Sequence, residues 1–179
     1  MLKTQTLSLL KLPCLLVIPV LSLFWLTPHT RAEDNCTYSL GESVTGASTT
    51  LNLCSIQWQR NRQVTFTYSL SNKQIEARAN CPDNSWISFP DRSINRPRSK
   101  ATSDMIKIVC TAPSFNEGIA IGVVFDPPSK IRRTPNGEVV CTIQDVTGIA
   151  LAGGVTGDGQ WYRTTVCGGG VIHQSQVRP

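Results

Sequence analysis

The chain has 179 residues, with 17 basic and 12 acidic side chains and a formal net charge of +5. Apolar residues make up 40% and charged residues 16%, and there are 13 Gly, 11 Pro and 7 Cys. This composition excludes a disordered or collagen-like chain. The length accommodates one domain of ordinary size or two small ones.

Residues 1–32 have the pattern of a secretory signal peptide. Lys3 and Lys11 form the positively charged start, and residues 12–26 are almost continuously apolar. Residues 30–32, Thr-Arg-Ala, have the small–x–small form that signal peptidase accepts. An uncleaved membrane anchor is the alternative. We therefore expect a secreted or periplasmic protein with no membrane segment once the leader is cleaved.

Cleavage leaves little net charge. Loss of Lys3, Lys11 and Arg31 from the 17 basic residues, and of no acidic residue, leaves 14 basic against 12 acidic side chains, a net charge of +2. This charge is too weak to favour nucleic acid or a strongly anionic surface as the partner. One local basic cluster remains, and we interpret it as a solvated loop before a helix. It consists of Arg92, Arg96, Arg98 and Lys100.

The six cysteines beyond the leader are expected to form disulfides, because an even number in an exported chain is typical of an oxidised scaffold. They are Cys36, Cys54, Cys81, Cys110, Cys141 and Cys167. There is no CxxC motif and no His close to a Cys pair, so we expect neither a metal site nor a cofactor. Six cysteines can pair in many ways, and the connectivity of the first four stays open. The arrangement we favour joins Cys36 to Cys54 and Cys81 to Cys110.

The segment 33–114 is predicted to be a small α+β domain that contains a hairpin. Apolar and polar residues alternate in 51–56 and 64–70, which is typical of half-buried strands. Polar residues at 71–73 predict a tight turn, and residues 74–79 then form the return strand.

A helix is predicted over 100–110, with Ser99 as its N-cap. Its apolar residues recur at helical spacing. They are Ala101, Met105, Ile108 and Val109. Because Cys81 ends the return strand and Cys110 ends the helix, a bridge between them would hold the helix on the hairpin.

Several features of this segment occur in one order: a strand that runs into Cys81, then Trp86, a Pro-Arg-Ser stretch at 97–99 and a helix that closes in Val109-Cys110. In these features the segment resembles bacterial secreted modules of the surface-adhesin E type. The resemblance implies a hairpin with a disulfide-tied helix and no particular activity.

The segment 119–177 contains four motifs in a fixed order. They are Ile131-Arg132-Arg133-Thr134-Pro135-Asn136-Gly137, Gly148-Ile149-Ala150-Leu151, Asp158-Gly159-Gln160-Trp161-Tyr162 and Gly170-Val171-Ile172-His173-Gln174-Ser175. Asn136-Gly137 lies between two β-prone runs and predicts a two-residue hairpin turn, because both residues tolerate positive φ. Cys141 lies inside one predicted strand and Cys167 just after the Trp-Tyr strand, and we expect them to meet across the sheet and pair within this segment.

These motifs resemble those of a bacterial SH3 (SH3b) domain. The resemblance implies an SH3-like β-barrel, so the whole fold is expected to be mostly β, with the small α+β domain at its N-terminal end. It also implies a binding module whose groove is bordered by Trp161, which we expect to be exposed. Arg132, Asn136 and Gln174 would complete this candidate ligand-binding surface. The expected partner is a peptidoglycan peptide or an exported protein.

Catalysis is not predicted. The mature chain has one histidine, His173, and we expect it to brace the last turn of the barrel. No Ser or Cys occupies a nucleophile elbow, and no calcium loop or phosphate-binding motif is present. We therefore predict a non-catalytic binding protein. The alternatives are a structural or adhesin-like envelope protein and, after that, an accessory of a cell-wall hydrolase.

Overall fold

The computed structural model describes residues 36–116, 119–155 and 159–178. The predicted signal peptide, 1–32, lies outside these ranges. The described residues form thirteen strands in two antiparallel sheets, together with one α-helix. The prediction of a mostly β fold is therefore confirmed. The described residues all belong to one compact unit.

The first sheet has six strands that neighbour one another in chain order. They are β1 (Thr37–Glu42), β2 (Ser48–Trp58), β3 (Gln63–Leu70), β4 (Lys73–Asn80), β5 (Ser85–Ser88) and β6 (Ser93–Asn95). The predicted hairpin is β3 and β4, which pair along their whole length. Its turn is made by Ser71 and Asn72, both with positive φ.

The predicted helix is also confirmed, as α1 (Lys100–Thr111). The Ser99 side chain accepts a hydrogen bond from the Thr102 backbone N–H, and the Thr102 hydroxyl accepts one from the Ser99 N–H. This reciprocal pair satisfies two of the donors that a helix start leaves open. The helix thus begins at a defined residue, which also defines the end of the preceding loop.

The second sheet has seven strands in the order β13-β7-β10-β11-β12-β8-β9. They are β7 (Ile119–Val124), β8 (Ser129–Arg132), β9 (Val139–Ile143), β10 (Thr147–Val155), β11 (Trp161–Thr164), β12 (Gly170–His173) and β13 (Val177–Arg178). Within the described residues no strand pairing joins β9 to β13, so no closed barrel is seen.

The turn between β8 and β9 differs from the predicted one. The loop runs from Arg133 to Glu138, and the Gly137 N–H donates to the Thr134 carbonyl at 2.9 Å. Asn136 alone of the Asn-Gly pair has positive φ, at 57°. Because Pro135 favours the second position of a turn, the turn is centred on Pro135-Asn136. The prediction of a two-residue Asn-Gly turn is therefore wrong.

Three disulfides tie these elements together, and their pairing is the one we favoured. Cys36 joins Cys54, Cys81 joins Cys110 and Cys141 joins Cys167, with Cα–Cα distances of 5.4, 5.6 and 6.3 Å. The second bridge holds the end of β4 against α1, and the third holds β9 against the short 3₁₀ helix Val166–Gly168. Such bridges are typical of proteins from oxidising compartments.

Helix α1 packs against both sheets. Its buried residues, Met105, Ile106, Ile108 and Val109, share one core with the inner face of the first sheet. Residues of the second segment belong to the same core. They are Ile121, Val123 and Val146. The core of the molecule therefore crosses the predicted boundary between 33–114 and 119–177, and the independence of the two segments stays a prediction.

The closest approach between α1 and the second sheet is at Gly148. A Cβ on this residue would lie 2.6 Å from the Ala112 Cβ and 2.8 Å from the Ile108 carbonyl oxygen. The Gly148 N–H donates to the Thr111 hydroxyl at 2.8 Å. Nearby, the Lys107 ammonium pairs with the Asp145 carboxylate at 2.9 Å, which raises the pKa of Lys107.

We expect Gly148→Ala to lower the free energy of unfolding by about 1–3 kcal/mol, because the added methyl group must push β10 away from α1. Chemical denaturation with the disulfides intact measures this change. Thr142→Ala, at an exposed position of β9, is the control and should change stability by less than about 0.5 kcal/mol. Equal stabilities for the two variants would show that the approach at Gly148 is not a packing constraint.

Candidate functional site

The predicted site on the second sheet lacks its exposed aromatic. Trp161 is only 6% exposed, so the expectation that this indole borders an open groove is wrong. Trp161 lies opposite His173 in the β11–β12 pair. The imidazole packs edge-on against the indole with ring centroids 4.9 Å apart. The aromatic is therefore covered by its cross-strand neighbour.

Of the other three predicted ligand residues, Arg132 ends β8, whereas Asn136 and Gln174 lie in a loop and a turn of this sheet. The Arg132 guanidinium donates to the Gly137 carbonyl at 2.7 Å and so holds the β8–β9 loop. Asn136 and Gln174 are exposed, Asn136 in that loop and Gln174 at the start of a 3₁₀ helix. No exposed aromatic residue of the described second sheet joins them, and their binding role stays a prediction.

His173 also contacts a serine hydroxyl. Its Nδ1 atom lies 2.8 Å from the Ser175 Oγ atom and accepts a hydrogen bond from the Ser175 N–H at 3.2 Å. This is the geometry of a cap on the 3₁₀ helix Gln174–Gln176. A nucleophile–base pair needs a third group that orients the base, and no carboxylate within the described ranges hydrogen-bonds this imidazole.

A cavity lies on the first sheet, and we call it the Arg98 cleft. It is about 390 Å³ in volume. It is formed by the β1–β2 turn (43–45), the ends of β3 and β6, β5, and the loop into the N-terminus of α1. Small-molecule sites in proteins are concave and mostly apolar, with a few polar groups that orient the ligand. The Arg98 cleft is also concave, but its lining is of mixed polarity, with Ser, Thr, Asn and Arg side chains beside Val44, Leu70 and Ile94.

The floor of the cleft is aromatic. Tyr68 and Trp86 are buried and meet edge to face, with ring centroids 6.5 Å apart. The Trp86 indole N–H donates to the Tyr68 hydroxyl oxygen at 3.4 Å. Burial raises the pKa of Tyr68 above its ordinary value of 10.0, so its hydroxyl stays neutral and keeps its proton at neutral pH. Both rings are almost fully buried, so they support the cleft from beneath and present little surface to it.

The walls of the cleft carry apolar side chains and two cations. Ile94 is 74% exposed and Val44 is 64% exposed, although both are large and apolar. Arg96 and Arg98 are exposed and line the same cleft, whose lining residues include no acidic side chain. Exposed apolar surface beside fixed cations is typical of a binding surface rather than of a solvated loop.

A second depression, shallower and about 690 Å³ in volume, lies on the second sheet. Arg133, Arg163 and Val171 contribute to it, and none of its lining residues is aromatic. Groups of His, Cys, Asp or Glu that could hold a metal ion do not occur in the described residues. In the same ranges no helix has the length and apolarity to span a membrane.

The Arg98 cleft was missed from the sequence, where the basic cluster was interpreted as a solvated loop. The pattern of the loop contains a signal nonetheless. Arg96 and Arg98 flank Pro97, and Ile94 is an apolar residue in a polar stretch. What the sequence does not show is that the β1–β2 turn lies across from this loop.

Comparisons with protein-family models, with curated proteins and with solved structures found no match. The interpretation of the cleft therefore depends on its own geometry.

The raised pKa of Tyr68 predicts a loss of stability at alkaline pH. In the unfolded chain the phenol ionises near pH 10, whereas in the folded chain it keeps its proton to higher pH. Tyr68 therefore contributes full stability below about pH 10, and the free energy of unfolding falls as the pH rises from there through the raised pKa. Tyr38, whose pKa is also raised by burial, acts in the same direction.

Tyr68→Phe should reduce this alkaline loss, as measured by denaturation at a series of pH values. Tyrosinate absorbance should show that Tyr68 ionises above pH 10. A Tyr68 that ionises at its ordinary value would contradict the burial of the phenol.

For His173 we expect a structural role. His173→Ala removes both the cap and the ring that covers Trp161, so it should lower stability by about 1 kcal/mol and shift indole fluorescence to longer wavelength. Ser175→Ala keeps the backbone bond to Nδ1 and should do neither. A peptidoglycan hydrolase activity that is present in the wild type and lost in a folded His173→Ala variant would instead identify an enzyme.

Proposed function

We propose that this chain is a bacterial, extracytoplasmic, non-catalytic binding protein whose ligand binds in the Arg98 cleft. The observation that carries the proposal is a cleft with exposed apolar walls and two cations above a buried aromatic pair. Three disulfides and the signal-like leader support a secreted or periplasmic location.

We also propose that 119–177 is an SH3b-like module and that 33–114 is the second unit of the fold. The four motifs in this order and the bridge between Cys141 and Cys167 support the assignment. Packing of both segments on α1 makes them parts of one compact unit. In this arrangement the second sheet supports the first, and the ligand is held by the first.

The partner we propose is a peptidoglycan peptide or an exported protein. Recognition would be an equilibrium between free and bound states, in which no covalent bond changes. The Arg98 cleft suits such a partner because it presents hydroxyl and amide side chains, Thr45 and Asn95 among them, beside its apolar walls.

The second candidate is a structural or adhesin-like envelope protein. It is favoured by β9, an edge strand of the second sheet on which Val139 and Val140 are exposed. Edge strands with apolar side chains favour pairing with another chain. In that case the protein would assemble through β9, and the Arg98 cleft would not be required.

Sedimentation with insoluble purified peptidoglycan tests the proposal, using the oxidised protein from residue 33 onward. We expect retention of the wild type and at least a tenfold weaker retention of Arg98→Glu, because the substitution reverses one of the two charges of the cleft. Arg163→Glu makes the same charge change on the second sheet and is the matched control.

Loss of retention in Arg163→Glu alone would assign the peptidoglycan-binding site to the second sheet. Absence of retention in the wild type would overturn peptidoglycan as the partner. Concentration-dependent association that Val140→Asp abolishes would favour the structural candidate.

A further inference from the structure

We propose that the Arg98 cleft recognises the C-terminal carboxylate of a peptide whose last residue is apolar. This inference rests on the proposed function and names the chemistry of its ligand. A wall peptide and an exported protein both end in a carboxylate, so one site would serve either partner.

The backbone of the loop that carries the two arginines is restrained, while their guanidinium groups retain N–H donors that have no partner in the described residues. The Arg98 N–H donates to the Thr102 hydroxyl at 3.1 Å, which ties the loop to the start of α1. Pro97, between the two arginines, restricts the backbone further. The loop therefore presents its cations from a fixed position, which reduces the entropy lost on binding.

The charge of these arginines is not neutralised within the described part of the chain. Arg96 donates once, to the Asp83 carbonyl at 3.2 Å. A guanidinium has five N–H donors, so most of those on Arg96 remain. Arg98 forms no ion pair with a described carboxylate, whereas neighbouring Lys100 pairs with Asp104. The cleft therefore favours an anion, and the planar fork of arginine suits a carboxylate.

The start of α1 is not itself the anion site. Ser99 and Thr102 use their hydroxyl groups and backbone N–H groups to cap each other. The positive charge that would bind an anion consequently comes from the arginine side chains. A variant that removes one guanidinium is thus the informative one.

The apolar part of the cleft is matched to a side chain rather than to a long acyl chain. Its volume of about 390 Å³ lies near the lower end of the range for small-ligand sites. Ile94 and Val44 provide exposed apolar walls beside the aromatic floor. Strand β6 is an edge strand and pairs only with β5, so its other edge has backbone groups that an extended peptide can use.

The test is titration calorimetry with acetyl-Ala-Ala-Leu as the free acid and as the C-terminal amide. We expect the acid to bind the wild type at least about tenfold more tightly than the amide. Arg98→Gln should abolish this difference. Arg92→Gln is the matched control, because Arg92 belongs to the same exposed basic cluster but does not line the cleft.

Equal binding of acid and amide, or no binding of either, would overturn the inference. Retention on peptidoglycan that depends on Arg98, together with either of those results, would leave the proposed function standing. Preference for the acid without retention on peptidoglycan would keep the carboxylate site and remove the wall as partner. Dodecanoate that binds through Arg98 in place of the peptide acid would assign the cleft to lipids and overturn the peptide.

Discussion

The packing of α1 against two sheets is the constraint on which the rest of the structure depends. One face of this helix completes the core of the first sheet, and its C-terminal turn meets β10 at Gly148, where no side chain fits. A single short helix thus packs with apolar residues of both segments in one core, while the second sheet also has a separate apolar cluster of its own. Small domains bury proportionally little surface, so this shared use of α1 and the bridge between Cys81 and Cys110 compensate for their size.

The same helix also positions the candidate site. Its N-cap fixes where the loop from β6 ends, and that loop carries Arg96 and Arg98. The core beneath the cleft, with Tyr68 and Trp86, is the face of the sheet on which α1 packs. Contacts that stabilise the fold and contacts that hold the cleft open are therefore largely the same, and the cleft exists before any ligand binds.

Sequence patterns predicted the features that depend on neighbouring residues. Alternation predicted β3 and β4, helical spacing with Ser99 predicted α1, and the position of Cys81 and Cys110 at element ends predicted their bridge. The exposure of Trp161 depends instead on its packing against His173, which the pairing of β11 with β12 places opposite it. The Arg98 cleft likewise requires the β1–β2 turn to face the loop before α1, an arrangement that no local pattern in the sequence contains.

The proposed binding site lies on the first sheet and not at Trp161 on the second, which alters how the resemblance to SH3b domains is used. A tryptophan covered by histidine can stabilise β11 and β12, but it offers a ligand little apolar area. Binding requires apolar surface that is removed from water when the ligand associates. It also requires polar groups that exchange their hydrogen bonds with water for hydrogen bonds with the ligand. Ile94, Val44 and the Arg98 guanidinium provide both in one place, and the helix cap and Pro97 hold the loop that carries Arg98 in position. The physical case for binding therefore lies with the first sheet, whichever family the second resembles.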